Sequence, residues 1–379
     1  MITRLLSTII PREHHDGFIT VIYGPRRVGK TVLLNQLLLS LKPAKQLILN
    51  GDTQESRDQL SHTSEVRLTS LVADYDIVAI DEAQRIPNVG LALKIIIDKF
   101  PHKRVIVTGS SSLEPSSGIQ ETLTGRTITY TLFPLSTAEI SPGLDSYKIP
   151  YLLPDQLLYG GYPYIQSLPT AKAKQAYLYS LTEDYLLRDL FDLSRVDSPD
   201  VVKKLATLLA FQAGSEVSLN ELGQQLAVSV KTISRYLHLL EKSFVIFAIG
   251  AFSSNLRGEV ARSKKYYFYD LGIRNALINQ FQPLDVRTDI GALWENFLAV
   301  ERLKRHHYSR TTVSTYFWRD YSDAKLDWLE KDIAGMAAFE FKWHPKKSYS
   351  TPKSFKDAYH LEAQVITRDN YLDFIIPNS

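Results

Sequence analysis

One eight-residue segment near the start of the chain constrains the fold more than any other feature. Gly24-Pro25-Arg26-Arg27-Val28-Gly29-Lys30-Thr31 matches the pattern GxxxxGK[ST], and it stands between an apolar run, Ile19–Tyr23, and a segment of helical periodicity, Thr31–Leu41. In this strand–loop–helix context, backbone N–H groups close around phosphates, with the positive end of the helix behind them. The segment therefore predicts a phosphate-binding loop (P-loop) in an α/β fold.

The residues of this loop have separate expected roles in holding a nucleotide. Lys30 is expected to reach the β- and γ-phosphates, and the Thr31 hydroxyl is expected to ligate magnesium. Arg26 and Arg27 could touch phosphate or pair with nearby acidic residues such as Asp81. ATP and Mg²⁺ are therefore the predicted cofactors. The predicted nucleotide-binding residues are Gly24, Pro25, Arg26, Arg27, Val28, Gly29, Lys30, Thr31, Val32 and Ser110.

A second apolar segment ends in two acidic residues. Asp76–Ile80 has the composition of a buried strand, and Asp81 and Glu82 follow it directly. Downstream of a phosphate loop, Asp81 is expected to hold magnesium together with Thr31, and Glu82 is expected to polarise the attacking water. This acidic pair suits water as the phosphate acceptor, so it favours ATP hydrolysis over phosphate transfer. The alternative for the isolated segment is a strand that ends in a solvated acidic turn.

Two further elements complete the predicted catalytic site. The strand Val105–Thr108 runs into Gly109-Ser110-Ser111-Ser112, where Thr108 and Ser110 are the candidates for sensing the γ-phosphate between the other two strand ends. The alternative for any single serine is a simple polar turn. Arg126 is a candidate arginine finger that supplies charge to the transition state, or equally a structural arginine that braces the last strand. The predicted catalytic residues are Glu82, Lys30, Asp81 and Arg126.

The composition restricts the chemistry and the location. The 379 residues contain no cysteine, which excludes disulfides and cysteine-bound zinc or iron–sulfur centres. No stretch approaches the roughly 20 apolar residues that span a bilayer, and the run Leu5–Ile10 is shorter than a signal-peptide core. We therefore expect a cytoplasmic protein with no membrane partner. The net charge of +3 is too small to indicate a nucleic-acid partner by itself.

The order of patterns along the chain predicts four regions. Short apolar runs alternate with helical segments up to about residue 140, which is typical of a parallel sheet flanked by helices. The predicted strands are Phe18–Tyr23, Gln46–Asn50, Asp76–Ile80, Arg104–Thr108 and Thr127–Phe133. Prolines and glycines in Ser141–Pro169 indicate a connector with little regular structure. The predicted domains are residues 1–140 (P-loop domain), 141–195 (connector and helices), 196–256 (winged helix–turn–helix) and 257–379 (nuclease-like αβ domain).

A helix–turn–helix pattern lies in the third region. Ser218–Leu226 begins with a Ser–Glu box, and the turn Ala227–Ser229 leads to a second helix, Val230–Leu240. Phe244–Ile249 is expected to be the strand of a following wing. The candidate nucleic-acid residues, which the second helix would point outward, are Lys231, Thr232, Ser234 and Arg235. The alternative is a protein-contact module, because the segment holds few basic residues.

Carboxylates and a lysine recur near the C-terminus on predicted strands. Asp327 precedes Glu340-Phe341-Lys342 by a short hairpin, and strand alternation puts Glu340 and Lys342 on one face. Asp327 and Glu340 are a candidate divalent-cation site for phosphodiester chemistry, with Glu295 as a third carboxylate. The alternative is a half-exposed sheet with a charged outer face. The candidate nuclease-like residues are Glu295, Asp327, Glu340 and Lys342.

Taken together, these segments resemble prokaryotic AAA+-type P-loop ATPases with a C-terminal domain of restriction-endonuclease-like (PD-(D/E)xK) fold. Besides the P-loop, the segments that carry the resemblance include Ile80-Asp81-Glu82-Ala83-Gln84, Thr108-Gly109-Ser110-Ser111-Ser112, Gly125-Arg126, Phe133-Pro134-Leu135-Ser136, Gly160-Gly161-Tyr162-Pro163, Tyr269-Asp270-Leu271-Gly272, Leu293-Trp294-Glu295-Asn296 and Glu340-Phe341-Lys342. The resemblance implies an AAA+-like parallel sheet, then a helical and winged-helix region, then a nuclease-like αβ domain. Lys325-Leu326-Asp327-Trp328 departs from the family, in which an acidic residue commonly precedes the aspartate.

Two hypotheses of function follow. In the first, the chain is an ATP-driven switch that acts on DNA through the winged helix and the C-terminal domain. In the second, it is a nucleotide-gated scaffold for protein contacts, with a protein partner or a homo-oligomer and an inert nuclease-like domain. Cleavage of nucleic acid by Asp327, Glu340 and Lys342 is a third alternative.

Overall fold

The computed structural model describes residues 2–61, 64–110, 122–193, 198–252, 263–322, 324–344 and 349–376, without the side chains of 146 and 184–193. By its internal contacts the chain forms two compact units. The first contains residues 1–135 and 187–196, and the second contains 136–186 and 197–379. The described helices include none with the length and apolar character that crossing a membrane requires.

The first unit is built on a five-stranded parallel sheet with the order β2-β3-β4-β1-β5. Every residue of β1 and of β3 is buried, which is typical of central parallel strands that are covered on both faces. Its strands are β1 (Ile19–Tyr23), β2 (Gln46–Asn50), β3 (Ile77–Asp81), β4 (Arg104–Gly109) and β5 (Thr127–Thr131). The five predicted strands are therefore confirmed, with ends that shift by one or two residues.

The helices of the first unit follow from apolar residues at helical spacing. In α2, the side chains of Leu33, Leu34, Leu37 and Leu38 recur on one side and are buried. Among the described residues, the helices are α1 (Leu6–Ile9), α2 (Lys30–Ser40), α3 (Gln54–Ser61), α4 (Glu65–Val72) and α5 (Val89–Lys99). Because β4 lies between β1 and β3, the carboxyl ends of these three strands meet at one edge of the sheet.

The second unit contains a seven-stranded mixed sheet with the order β12-β11-β10-β9-β7-β8-β6. Its strands are β6 (Glu216–Val217), β7 (Ile246–Ala251), β8 (Lys264–Phe268), β9 (Ser314–Arg319), β10 (Lys325–Lys331), β11 (Met336–Phe341) and β12 (Gln364–Ile366). The helices in the described part of the chain from residue 136 onward are α6 (Thr137–Ile140), α7 (Leu153–Tyr159), α8 (Ala171–Leu193), α9 (Pro199–Phe211), α10 (Leu219–Leu226), α11 (Val230–Lys242), α12 (Leu271–Leu277), α13 (Ile290–Tyr308), α14 (Lys353–Tyr359) and α15 (Tyr371–Ile375). The predicted connector Ser141–Pro169 is thus more regular than expected, because it includes α7 and two 3₁₀ turns.

The main core of the second unit lies between α13 and the sheet. Trp294 and Phe297 of α13 pack with Phe317, Trp328 and Phe339 from three neighbouring strands. A smaller apolar cluster includes Trp318, Leu326, Leu329 and Phe355 of α14. Because successive side chains of a strand point to opposite faces, the sheet has an apolar cluster on each face.

Buried polar contacts fix the middle of the second unit. Asp270 accepts hydrogen bonds from the N–H groups of Ile273 (3.0 Å) and Gly161 (2.7 Å). It therefore caps α12 and also holds the Gly160–Gly161 turn. Asn296 of α13 donates to the carbonyl of Phe268 (2.8 Å) and accepts from its N–H (2.9 Å), which satisfies the backbone of β8. These contacts explain three of the motifs that carry the resemblance, Gly160–Pro163, Tyr269–Gly272 and Leu293–Asn296.

The helix–turn–helix pattern forms two helices as expected. Ser218 caps α10 by accepting from the Glu221 N–H, and Ser229 caps α11 by accepting from the Thr232 N–H. After α11 the chain enters β7, which pairs antiparallel with β8. β7 also pairs parallel with β9, so a single sheet crosses the predicted domain boundary at residues 256/257. The region 196–256 is consequently not separate from the region that follows it.

Candidate functional site

The predicted phosphate loop is a tight turn between β1 and α2. Gly29 (φ 94°) precedes the first residue of α2, and Arg27 is also in the left-handed region (φ 62°). Gly24 lies so close to the chain beyond β5 that a Cβ there would be 2.3 Å from the Leu132 carbonyl oxygen. Only glycine fits this position, which explains the first glycine of the motif.

Lys30 closes the loop on itself. Its ammonium is buried and donates to the carbonyl oxygens of Gly24 and Pro25, at 3.0 Å each. These two carbonyls belong to the first half of the loop. These hydrogen bonds would have to break for Lys30 to bind phosphate oxygens.

Thr31 and Asp81 meet at the carboxyl edge of the sheet. The Thr31 hydroxyl donates to Asp81 Oδ2 at 2.7 Å, and the Thr108 hydroxyl donates to Asp81 Oδ1. Asp81 is buried at the end of β3, so both neighbours fix its carboxylate. The structure therefore brings together the two oxygen ligands that the sequence assigned to magnesium.

Glu82 is held by Gln84, a residue for which the sequence predicted no separate role. Its backbone is left-handed (φ 50°, ψ 44°), a strained conformation for a residue with a side chain, and its N–H donates to the Thr108 hydroxyl at 3.3 Å. Gln84 Nε2 donates to Glu82 Oε2 at 2.5 Å, while Gln84 Oε1 accepts from the Ser110 N–H at 3.3 Å. Gln84 therefore links the predicted water-polarising carboxylate to the end of β4. The only sequence signal was its place in the Asp81–Gln84 motif.

This set of groups fits a nucleotide with magnesium. Hard divalent cations take oxygen ligands, and Thr31 and Asp81 supply two that already touch. The loop ends at the N-terminus of an eleven-residue helix, whose dipole favours phosphate. Thr108 and Ser110 lie at the end of β4 between those two strand ends, as the sequence predicted, whereas Ser111 and Ser112 lie outside the described residues.

The remaining residues predicted for this site lie around the loop or away from it. Arg27 and Val32 are exposed, and Arg26 is half-buried. Arg126 immediately precedes β5, at the sheet edge opposite the P-loop, and it donates to Asp98. It is not brought to the phosphate loop of its own chain. Its position matches the alternative prediction, a structural arginine beside the last strand.

The C-terminal carboxylates also converge, but around a lysine, Lys265, that was not predicted from the sequence. Lys265 of β8 is buried, and its ammonium is 2.9 Å from Glu295 Oε1 and 3.9 Å from Asp327 Oδ1. Tyr267 also donates to Glu295 Oε1, at 2.8 Å. Because Lys265 stands 30 and 62 positions from these carboxylates, no local pattern could have placed it among them.

Asp327, Glu340 and Lys342 form the other side of this cluster. Asp327 lies where the pairing of β9 with β10 shifts register, and its Oδ2 accepts from the Phe341 N–H at 2.9 Å. Lys342 donates to Glu340 Oε1. Tyr349 approaches the same carboxyl group, yet Glu340 Oε2 is buried and makes no hydrogen bond of acceptable geometry within the described part of the chain.

The protonation of the cluster reflects its burial. Burial, and then the charge of Asp327, raise the pKa of Glu295 to about 7 against the opposing effects of Lys265 and Tyr267. Burial and Asp327 likewise raise the pKa of Glu340, although Lys342 opposes the change. Burial lowers the pKa of Lys265, but Glu295 and Asp327 outweigh it and leave that pKa raised.

These carboxylates do not fit the divalent cation that the nuclease-like resemblance implies. Across the described residues, no group of three or more histidine, aspartate or glutamate side chains is arranged to hold a metal ion. The ammonium of Lys265 instead lies beside the carboxylates of Glu295 and Asp327. The predicted metal role of Asp327 and Glu340 is therefore not supported by the structure.

The second helix of the helix–turn–helix presents its polar residues to solvent. Lys231, Ser234 and Arg235 are exposed, and Thr232 is half-buried and shares a 2.9 Å hydroxyl contact with Ser229. Arg235 also lies over the ring of Tyr236, with 5.2 Å between the guanidinium and the ring centroid. Thr232 thus helps to begin the helix, while the other three side chains are exposed on its surface.

The first unit has a P-loop α/β fold by its parallel sheet, its loop and the residues at the strand ends. In agreement, residues 16–141 match a family model described as an AAA domain. Residues 151–284 and 290–376 match two models described as domains of unknown function, DUF8612 and DUF4143.

Comparisons with other proteins find relatives that align with most of this chain. An uncharacterized protein of Mycobacterium tuberculosis is 27% identical over 336 residues, which cover 87% of this chain and 71% of the relative. An uncharacterized protein of Haemophilus influenzae is 25% identical over 385 residues, covering 95% of this chain and 88% of the relative. Among solved structures, a Walker-type ATPase of Pyrococcus abyssi aligns with 73% of this chain and 96% of its own, at 17% identity and a TM-score of 0.46.

Proposed function

We propose that the first unit binds ATP with Mg²⁺ and hydrolyses it. The observation that carries the proposal is the convergence of the ends of β1, β4 and β3 on one site. That site holds a buried lysine, the Thr31–Asp81 oxygen pair and a carboxylate, Glu82, oriented by Gln84. The match to an AAA domain over residues 16–141 supports the same activity.

Each residue has a role in this proposal. Lys30 leaves the Gly24 and Pro25 carbonyls and binds the phosphates, and the N–H groups at the start of α2 face the same anion. Magnesium bound with ATP supplies positive charge beside the phosphate oxygens, and Thr31 and Asp81 are the residues that would hold it. Glu82 orients a water molecule and takes its proton as the water oxygen bonds to the γ-phosphorus and the bond to the β–γ bridging oxygen breaks.

Phosphate release by the purified chain tests this activity. We expect Mg²⁺-dependent release by the wild type and its loss in Lys30→Ala and Glu82→Gln, with nucleotide binding retained in Glu82→Gln. Glu55→Gln, which removes an exposed carboxylate of α3, is the matched control. Equal release by the wild type and Lys30→Ala would refute the assignment of the site.

We further propose that ATP turnover serves an action on DNA. The order helix–strand–helix–helix–strand–strand over α9, β6, α10, α11, β7 and β8 is typical of a winged helix, and α11 exposes Lys231, Ser234 and Arg235. We expect duplex DNA to raise the rate of phosphate release and to bind with an affinity that falls with salt. Lys231→Met and Arg235→Met should reduce this stimulation, whereas Lys204→Met, at an exposed lysine on α9, should leave it unchanged.

A second candidate function is a nucleotide-gated scaffold in which the C-terminal domain has a nuclease-like fold and no cleavage activity. The contacts of Lys265 with Glu295 and Asp327 favour it, since a lysine then neutralises the carboxylates in place of a cation. ATP-dependent association with itself or with a protein partner, without DNA stimulation, is the expected behaviour. Mg²⁺- or Mn²⁺-dependent nicking of a plasmid that is lost in Glu340→Gln would contradict an inert domain.

A further inference from the structure

An arginine outside the motif holds the phosphate loop from behind. Arg4, two residues before α1, is buried, with 3% of its surface exposed. Its Nη1 donates to the carbonyl oxygen of Val28 at 2.6 Å, and its Nη2 donates to the carbonyl oxygen of Phe133 at 2.6 Å. One guanidinium therefore joins the loop to the segment that follows β5.

The position of the guanidinium relates it directly to the anion-binding turn. A Cβ built on Gly29 would be 3.9 Å from Arg4 Nη1, so the charge lies immediately behind this turn. Val28 stands between the two left-handed residues of the loop, Arg27 and Gly29. Arg4 donates to the Val28 carbonyl, and this hydrogen bond keeps that acceptor away from an anion bound in the loop.

Two cationic side chains hold different halves of the loop. Lys30 holds the first half through Gly24 and Pro25, and Arg4 holds the second half through Val28. Lys30 must give up its carbonyls to bind phosphate, whereas Arg4 can keep its hydrogen bonds to the carbonyls of Val28 and Phe133. When Lys30 turns to the nucleotide, the hydrogen bonds of Arg4 continue to hold the second half of the loop.

We propose that Arg4 is a positioning residue for nucleotide binding, which holds the second half of the P-loop against the segment after β5 while Lys30 moves to the phosphates. The proposal rests on the proposed ATP-binding function of this loop. A planar guanidinium reaches both carbonyls at once, which a lysine ammonium on a single stem is not shaped to do. Removing the guanidinium should therefore lower the affinity for nucleotide more than it lowers the rate at which bound ATP is hydrolysed.

The test is a titration of the full chain with a fluorescent ADP analogue and Mg²⁺, followed by measurement of KM and kcat for ATP. We expect Arg4→Met to weaken binding and raise KM by about tenfold or more, as for a lost hydrogen bond to a charged group, with kcat changed less than about threefold. The nucleotide affinity of Arg4→Lys should lie between those of the wild type and Arg4→Met. Arg12→Met is the matched control, because Arg12 is exposed in the same N-terminal segment, and it should bind as the wild type does.

Melting curves without nucleotide separate loop positioning from a folding defect. If Arg4→Met does not fold, the folded Arg4→Lys variant decides the matter: weakened affinity supports the proposal, and wild-type affinity overturns it. Wild-type affinity in a folded Arg4→Met variant, alongside weak binding by Lys30→Ala, would also overturn it. Equal binding by the wild type and Lys30→Ala would instead mean that the proposed function of the loop is wrong.

Discussion

Replacing Gln84 with leucine tests the most specific feature of the catalytic site. The substitution keeps the approximate size of the side chain but removes the donor to Glu82 Oε2 (2.5 Å) and the acceptor of the Ser110 N–H (3.3 Å). Glu82 then keeps its left-handed backbone but loses the amide that orients its carboxylate. We expect a slower chemical step, because the water that Glu82 polarises is no longer fixed in direction.

The size of the effect follows from the kind of hydrogen bond. A hydrogen bond to a charged group contributes about 1.5–3 kcal/mol, which corresponds to a decrease in kcat of roughly 10- to 100-fold if the bond persists in the transition state. KM should change little, since both contacts of Gln84 lie at the ends of β3 and β4 and not in the loop 24–31. Single-turnover phosphate release with ATP in excess of its Kd measures the step directly.

The matched control for Gln84→Leu is Arg85→Met, at the neighbouring position. Arg85 is half exposed and pairs with Asp52 at 2.9 Å, so its loss should leave kcat within about twofold of the wild type. A Gln84→Leu variant with the wild-type kcat would refute the assignment of Gln84 as the residue that orients Glu82. A variant that hydrolyses faster would show that Gln84 restrains Glu82 instead of preparing it.

Three other substitutions test separate contacts. Asp81→Asn should weaken Mg²⁺-dependent nucleotide binding by about tenfold or more, because it removes the negative charge beside Thr31. Nucleotide titrations with and without Mg²⁺ measure this change, and equal affinities of the variant and the wild type in Mg²⁺ would contradict the metal role. Asn296→Ala should destabilise the second unit by about 2–4 kcal/mol, because the N–H and C=O of Phe268 lose their buried partners; urea unfolding measures the change. The pKa of Glu295 is raised to about 7, so the folded state holds its proton more tightly than the unfolded state, and wild-type stability should fall as the pH rises from about 5 to 8. In Glu295→Gln, the decrease in stability over this pH range should be smaller by up to about 3 kcal/mol. Melting temperatures measured against pH test this, and parallel profiles for the two proteins would contradict the raised pKa of Glu295.

The first unit could be predicted largely from the sequence because its signals are local. The P-loop motif lies within eight residues, and the apolar strands are short continuous runs whose ends moved by only one or two residues. Thr31 and Asp81 could be paired because their two motifs are known to share one edge of such a sheet. The spacing of residues in the sequence was therefore sufficient to predict both the fold of the first unit and its central site.

The contacts that the sequence did not predict join residues far apart in the chain. Arg4 lies 24 residues from Val28 and 129 from Phe133, and no periodicity relates such positions. Lys265 is a lysine in a tyrosine-rich strand, which the pattern alone would place on a charged surface. Its neutralisation of Glu295 depends on how β8 and α13 pack, and this packing decides whether the cluster has room for a cation.

The place of β7 within its sheet has a consequence for how this chain can diversify. β7 receives α11 at one end and has hydrogen-bonded neighbours on both edges, β8 and β9. A module that included β7 with the helix–turn–helix could therefore not be exchanged by recombination without leaving open edges on β8 and β9. Substitution on the exposed side of α11 changes partner preference and leaves this sheet intact.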